Sequence, residues 1–478
     1  MDSGTLAKEE TSVMKTLKRS YIQVLYFGLI FLLGSLSSCL VTKKFQAPEY
    51  DEPPLFSLDT LSGSGLRVGN YGWRAFFTDS LLRKFIDSTL QNNYDNQIAY
   101  ERVLQAQSSF KQGKIGYIPT LSLSGQVEHQ DLSSAFQFAP SEQYTLSGAL
   151  SWEADIWGKI TSAKRMLKAQ FQQSVTAKKL MQTQLVAKTA NAYYALIALK
   201  ESRILLERTL VLRERGLIST IRLFDAGMSN QLAVEQARAQ VESVRVMLEE
   251  NKRSVTMATN TLIMLTGGSL QTMNLGTVED QRTPETVDVG VPVEALRNRP
   301  DVQVSELAFR AAFENFNIAK ASLYPTLTIS AMGGFQSSEF DKWFTSSSLF
   351  NTLIGGLTQP IFMTRKLRTQ KEIADSQRRE ALLDFQKTLL EASTELSNLM
   401  ESYGAYQRSL LELRRQEEHL SRAFVIAEQL MEYGNATYLD ILTAQEALLN
   451  VQLSLIQAES NRLQTLVGIY RAVGGGVE

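Results

Sequence analysis

The chain has 478 residues, 44% of them hydrophobic, and its net charge is −1. That length supports a large core or more than one domain, while the balanced charge excludes a general nucleic-acid binder, which carries a basic excess. One cysteine excludes an internal disulfide, and 28 Gly with 10 Pro are too few for a collagen-like or disordered chain.

At the N-terminus Lys15, Lys18 and Arg19 precede the apolar run YIQVLYFGLIFLLGSLSSC. Roughly a dozen apolar residues fall short of the roughly 20 that span a bilayer as a helix. They fit the core of a signal peptide. The run closes on Leu36-Ser37-Ser38-Cys39, which resembles a bacterial lipobox, where cleavage leaves the cysteine as the new N-terminus with lipid on its thiol. Leu40 follows; an Asp there would mark retention in the inner membrane. Residues 1–38 therefore read as an upstream extension and lipoprotein signal, and 39–78 as an N-terminal extended segment. The mature chain is expected in the outer membrane with a covalent lipid on Cys39.

The rest reads as a duplication, 79–283 and 284–478. The stretch YDNQIAYERVLQAQSSFKQGKIGYIPTLSLSG (94–125) pairs with PDVQVSELAFRAAFENFNIAKASLYPTLTISA (300–331), and SWEADIWGK (151–159) with LTQPIFMTR (357–365). Each half reads helix, strand, loop, strand, long helix, turn, helix. In the strands Leu121, Leu123 and Val127 alternate with Ser122, Ser124, Gln126 and Glu128, and Leu327, Ile329 and Phe335 with Thr328, Ser330 and Gln336. Period two over roughly ten residues marks a half-buried or membrane-barrel strand. The long helices, from Lys159 and from Lys366, run for roughly 65 residues without proline, or roughly 100 Å. Uncapped length of that kind calls for coiled-coil packing. Gly227 and Gly434 reverse the chain, because glycine takes the positive φ that ends a helix; Ser229-Asn230 and Thr437 are placed to cap the returning helices.

The fold class is accordingly mainly α with a small β part: long antiparallel coiled-coil hairpins plus four barrel strands per chain. Single-chain membrane barrels begin at about 8 strands, and an open edge in lipid leaves backbone groups unpaired. Copies must share a barrel; two give eight strands and three give twelve. No metal cluster, phosphate loop or nucleophile motif occurs, and the two histidines stand alone. No enzyme, no metal and no nucleic-acid partner are expected.

The order of these motifs resembles the TolC-like outer-membrane efflux factors, in their lipidated NodT-type branch. Trp73, the stretch from Phe76 to Gln107, SWEADIWGK, the segment LRNRPDVQVSELAFRAAFENFNIAKASLYPTLTIS, QPIF and both hairpin turns carry the resemblance. It implies a homotrimeric α/β-barrel tube: an exit duct in the outer-membrane lipid for small molecules (drugs or metals), working with a periplasmic adaptor and an inner-membrane pump. An exit duct for type I protein secretion, or a coiled-coil structural lipoprotein without a pore, are the alternatives. The resemblance also puts both turns at the periplasmic tips. Their adaptor contacts would be Gly227, Ser229, Leu232 and Ala237, and Gly434, Thr437, Leu439 and Ala444; the last two of each set also suit an ordinary coil seam.

A gate is implied near the second tip. Asp440, Thr443 and Glu446 recur at helical spacing close to one face. The resemblance matches Asp440 to a pore-lining carboxylate. Thr443 stands where a second acid is common, with Glu446 as a candidate replacement. A solvated tip acid favoured by the helix N-terminus is the competing reading of Asp440. A ring of acids repels itself, so closure would need packing or cations such as Arg414, Arg415 or Arg422. For the anchor, Cys39→Ala is expected to abolish labelling by a fatty-acid analogue; persistent label would overturn the lipoprotein assignment.

Overall fold

The computed structural model describes residues 41–46, 66–67, 72–131, 141–268, 287–288, 296 and 298–475. Cys39 and the signal segment lie outside the described residues. In chain order the elements are β1 (Leu66–Arg67), α1 (Trp73–Phe76), α2 (Ser80–Asn92), α3 (Tyr94–Lys114), β2 (Thr120–Gln130), β3 (Ser141–Ala154), α4 (Lys159–Asp225), α5 (Gln231–Leu265), β4 (Val287–Asp288), α6 (Pro300–Ala321), β5 (Thr326–Ser337), β6 (Leu349–Thr358), α7 (Lys366–Glu432) and α8 (Tyr438–Ala472). The element order repeats, strand pair by strand pair and hairpin by hairpin. Contacts divide the chain into two units: Met1–Pro48, Ala106–Phe171 and Leu307–Leu382 form one, and Glu49–Gln105, Gln172–Glu306 and Leu383–Glu478 the other.

The first unit holds a four-stranded antiparallel sheet in the order β2-β3-β5-β6. Its register decides what each face presents, because directly paired residues share a face. One row runs Leu121, Leu150, Ala331, Leu353, another Gly125, Leu146, Phe335, Leu349, and a third Ala154, Leu327, Leu357. The opposite face carries Ser124, Ser147, Gly334 and Phe350 in one row and Gln126, Thr145 and Gln336 in the next. The alternation read from the sequence is therefore one apolar and one largely polar face. The glycine-rich fourth strand, irregular in sequence, pairs along its whole length.

The N-terminal segment is strapped to α6 in the same unit. Asn317 accepts the Lys43 N–H (3.4 Å) and donates to the Lys43 carbonyl (3.0 Å), as a neighbouring strand would. Lys320 Nζ donates to the Val41 carbonyl (3.0 Å), and Phe45 stands edge-on to Phe309 and Phe313.

The second unit is helical. Its core gathers Trp73, Phe77, Phe85, Tyr193, Leu396, Leu463 and Tyr470. Asp79 caps α2 through the Leu81 and Leu82 N–H groups and accepts the Tyr193 hydroxyl (2.6 Å). The segment from 80 to 113 is two helices and not one: buried Asn93 breaks it, accepting the Asp95 N–H at the start of α3 and donating to the Leu265 carbonyl at the end of α5. Along α5 the buried residues Val234, Ala237, Val241, Val244 and Leu248 recur at alternating intervals of three and four, a heptad seam. Asn251 continues that seam and donates to the Leu199 carbonyl of α4 (3.0 Å). A polar group at a seam position costs stability but pins the register of the two helices.

Arg299 joins three helices of this unit. Its buried guanidinium donates to the Ala472 carbonyl (3.1 Å), to Asp301 (2.7 Å) and to Glu395 (2.7 Å). Burial pushes the Asp301 carboxyl up, but the Arg299 hydrogen bonds and charge outweigh it and hold the pKa below its ordinary value. That contribution is complete above the ordinary aspartate pKa and is lost as pH falls through the depressed one. Removing one partner of a buried pair costs about 3–5 kcal/mol. Asp301 and Glu395 keep about a third of their exposure and can rehydrate, so Arg299→Met is expected to cost about 2 kcal/mol, read as a lower denaturation midpoint at neutral pH.

Candidate functional site

Both hairpin tips are built from the same parts. α4 ends where Gly227 (φ 74°) donates to the Phe224 carbonyl and Met228 to the Leu223 carbonyl. α7 ends where Gly434 (φ 71°) donates to Met431 and Asn435 to Leu430. This is the Schellman closure, which satisfies the last carbonyls and turns the chain out of the helix. Nothing lies within 4 Å of a Cβ built on either glycine, so backbone sign and not space demands glycine there. Three residues on, a side chain caps the returning helix. Asn230, and not Ser229, accepts the Ala233 N–H (3.0 Å) at the start of α5. Thr437 opens α8 in a reciprocal box with Asp440.

The expected contact residues separate by exposure. Gly227, Leu232, Gly434, Thr437 and Leu439 are exposed, and Ser229 and Ala444 are half-buried. Ala237 is only 2% exposed and belongs to the heptad seam of its own hairpin, which corrects its assignment to a partner surface. The tips carry two further apolar side chains that sequence spacing did not select, Met228 at 77% and Tyr433 at 79% exposed. The available signal was a large apolar residue adjoining each turn glycine.

Asp440, Thr443 and Glu446 all lie exposed on the first turns of α8. The Asp440 carboxylate is occupied, accepting the Thr437 N–H (2.8 Å) and the Thr437 hydroxyl (2.6 Å). These bonds, side-chain first, hold its pKa below the usual aspartate range. The cations expected to oppose it face other acids: Arg414 pairs with Glu459, Arg415 with Glu412 and Arg422 with Glu418. The cation beside this stretch is instead Arg213 of α4, 4% exposed, whose Nε and Nη1 have no hydrogen-bond partner among the described residues. Burial lowers its pKa, and the nearby Tyr438 and Glu446 counter that. The Tyr438 hydroxyl lies beside Gly216, one turn along α4, at an ordinary contact distance of 3.5 Å from where a Cβ would sit. A basic residue within a long charge-rich helix gives no sign in sequence that it is the buried one.

Among the described residues no helix is long and apolar enough to cross a membrane. The four strands of the antiparallel sheet, from 10 residues in β6 to 14 in β3, reach the roughly 9–11 of a tilted transmembrane strand. A family model described as outer membrane efflux protein matches residues 85–268 and 291–475, one match to each repeat. The chain belongs to the outer membrane efflux protein family. Among its relatives, the antibiotic efflux pump outer membrane protein ArpC of Pseudomonas putida is 26% identical over 93% of this chain and 94% of its own. The probable outer membrane lipoprotein SilC of Salmonella typhimurium is 23% identical over 95% of this chain and 99% of its own. The solved structure of the outer-membrane channel OprN superposes with a TM-score of 0.84 at 22% identity, covering 92% of this chain and 99% of that one, and shares the fold. As a member of the efflux family the chain is an outer-membrane efflux component. The readings as a protein-secretion duct or a coiled-coil lipoprotein without a pore are not favoured.

In this efflux protein the second tip differs from the first by its reciprocal cap. Asp440→Ala is expected to speed hydrogen exchange at the Thr437 and Asp440 amides while leaving the Ala233 amide of the first tip unchanged. The folded pKa is depressed, so protection in the wild type is full above the ordinary aspartate pKa and is lost as pH falls through the depressed one. Equal exchange in wild type and variant would contradict the cap.

Proposed function

We propose that the chain is the outer-membrane exit duct of a tripartite export assembly, a homotrimer through which drugs or metal ions leave the periplasm passively. One observation carries this reading: a four-stranded sheet with one apolar face and two edge strands cannot sit in lipid alone. Three copies supply twelve strands, within the range of closed barrels. The printed name of ArpC, an antibiotic efflux pump outer membrane protein, supports small-molecule cargo. That of SilC, a probable outer membrane lipoprotein, supports acylation of Cys39, the sole covalent group assigned. A passive duct needs no catalytic centre; the driving energy comes from an inner-membrane pump, coupled through a periplasmic adaptor.

The adaptor surface in this reading is the pair of tips: Gly227, Ser229, Leu232, Gly434, Thr437, Leu439 and Ala444, joined by Met228 and Tyr433. Exposed apolar side chains beside rigid, fully capped turns suit a partner helix. The gate is the start of α8, where threefold symmetry would turn Asp440 and Glu446 into rings of acid. In detergent the protein is expected to have the mass of three chains, and in planar bilayers to open discrete, cation-selective channels. Asp440→Ala is expected to lower that selectivity with the trimer retained. A pore-forming monomer, or a trimer without conductance, would overturn the duct; unchanged selectivity in Asp440→Ala would leave the residue as a helix cap alone.

A further inference from the structure

β2 and β6 each pair on one side only within the sheet. The internal repeat specifies how they meet between copies. In the first hairpin Thr120 faces Ser151, and in the second Thr326 faces Thr358. Thr120 therefore corresponds to Thr326 and Ser151 to Thr358. The junction between the two hairpins sets Ser151 opposite Ser330. Ser330 lies as far into β5 as Ser124 lies into β2. Carrying the junction over to the free edges sets Ser124 opposite Thr358.

We propose that β2 of one copy pairs antiparallel with β6 of the next in this register, Ser124 against Thr358; the proposal rests on the shared-barrel reading and specifies its interface. Three features agree with it. First, the register keeps like faces together: Ser124 and Thr358 both lie on the largely polar face, and a slip of one residue would invert every contact. Second, it puts Gly125 opposite Leu357 and Val127 opposite Gly355, so a large side chain meets a glycine at successive positions of the apolar face. Slipping by two residues would set Gly125 against Gly355 and leave a gap there. Third, a Cβ on Gly355 or Gly356 would meet nothing within 4 Å in the chain's own structure, and one on Gly125 only Leu146 at 3.8 Å. Nothing in the chain requires glycine at these places; Val127 and Gln126 of a neighbouring copy supply the reason. Beyond the strand, Ile361, 92% exposed, meets Leu121 of the neighbour, itself exposed, and both become covered.

Cysteine cross-linking tests the register. Neighbouring strands lie about 4.8 Å apart, so the two edges of this sheet are about 14 Å apart within one chain, beyond disulfide reach. Any bond between them joins two copies. Ser124→Cys/Thr358→Cys is compared with Ser122→Cys/Thr358→Cys and Gln126→Cys/Thr358→Cys in the full-length protein, oxidised in membranes and run without reductant beside the single-cysteine variants. The expected result is covalent dimers and trimers from the Ser124 pair at about five-fold or more the yield of either slipped pair. A maximum at Ser122 or Gln126 would overturn the register while leaving the shared barrel standing. Trimers of native mass with no cross-link from any pair would overturn the β2–β6 pairing. No cross-link together with a monomeric mass would sink the shared barrel itself.

Discussion

An open sheet edge in a hydrocarbon medium is the constraint on which the rest of this structure depends. Every strand of the sheet carries apolar residues on one face, from Leu121 in β2 to Leu357 in β6, and that face suits lipid. The same lipid offers no hydrogen bond to the outer backbone groups of β2 and β6. Four strands are too few to close on themselves, and the described residues hold two copies of the strand pair. In the proposed barrel, duplication within the chain and association between chains solve one problem by the same means: each adds a strand pair to an edge. The glycines of β6 fit the proposed pairing, since a Cβ on Gly355 or Gly356 would meet nothing within 4 Å in the chain itself.

The helical hairpins meet a different demand, that of reversing direction without leaving polar groups unsatisfied. At both tips the outgoing helix spends its last carbonyls on the N–H groups around a positive-φ glycine, and the returning helix finds its cap three residues later. These bonded turns leave Met228, Leu232, Tyr433 and Leu439 exposed beside them. Asn251 on the α5 seam adds a fixed register, so the tip residues of α4 and α5 are held in one relation to each other.

The start of α8 holds the acid for which the sequence offers two competing readings, helix cap and proposed channel lining. Asp440 serves as a cap whose carboxylate is already bonded to Thr437, and it is also an exposed acid able to line a channel. A carboxylate held charged by its own helix terminus stays ionised over a wider pH range, so a structural cap and a cation-attracting ring do not exclude one another. Arg213 of α4, buried near Tyr438 and Glu446, is a cation of the same hairpin end whose pKa burial lowers and those two groups raise.

Much of this was legible in the sequence because it is periodic or local. Strand alternation, the long proline-free helices, the duplication and the two glycine turns all depend on residues near one another in the chain, where spacing alone fixes which side chains share a face. The residues that depend on a distant partner were not legible. Asn93 breaks a helix because a carbonyl at Leu265 awaits it, and Arg213 and Arg299 are buried among many exposed arginines because of what packs on them. The sequence by itself determined the elements, their faces and their turns; only the tertiary structure decided which polar groups lie inside, because burial is a property of what packs on a residue and not of the residue's neighbours in the chain.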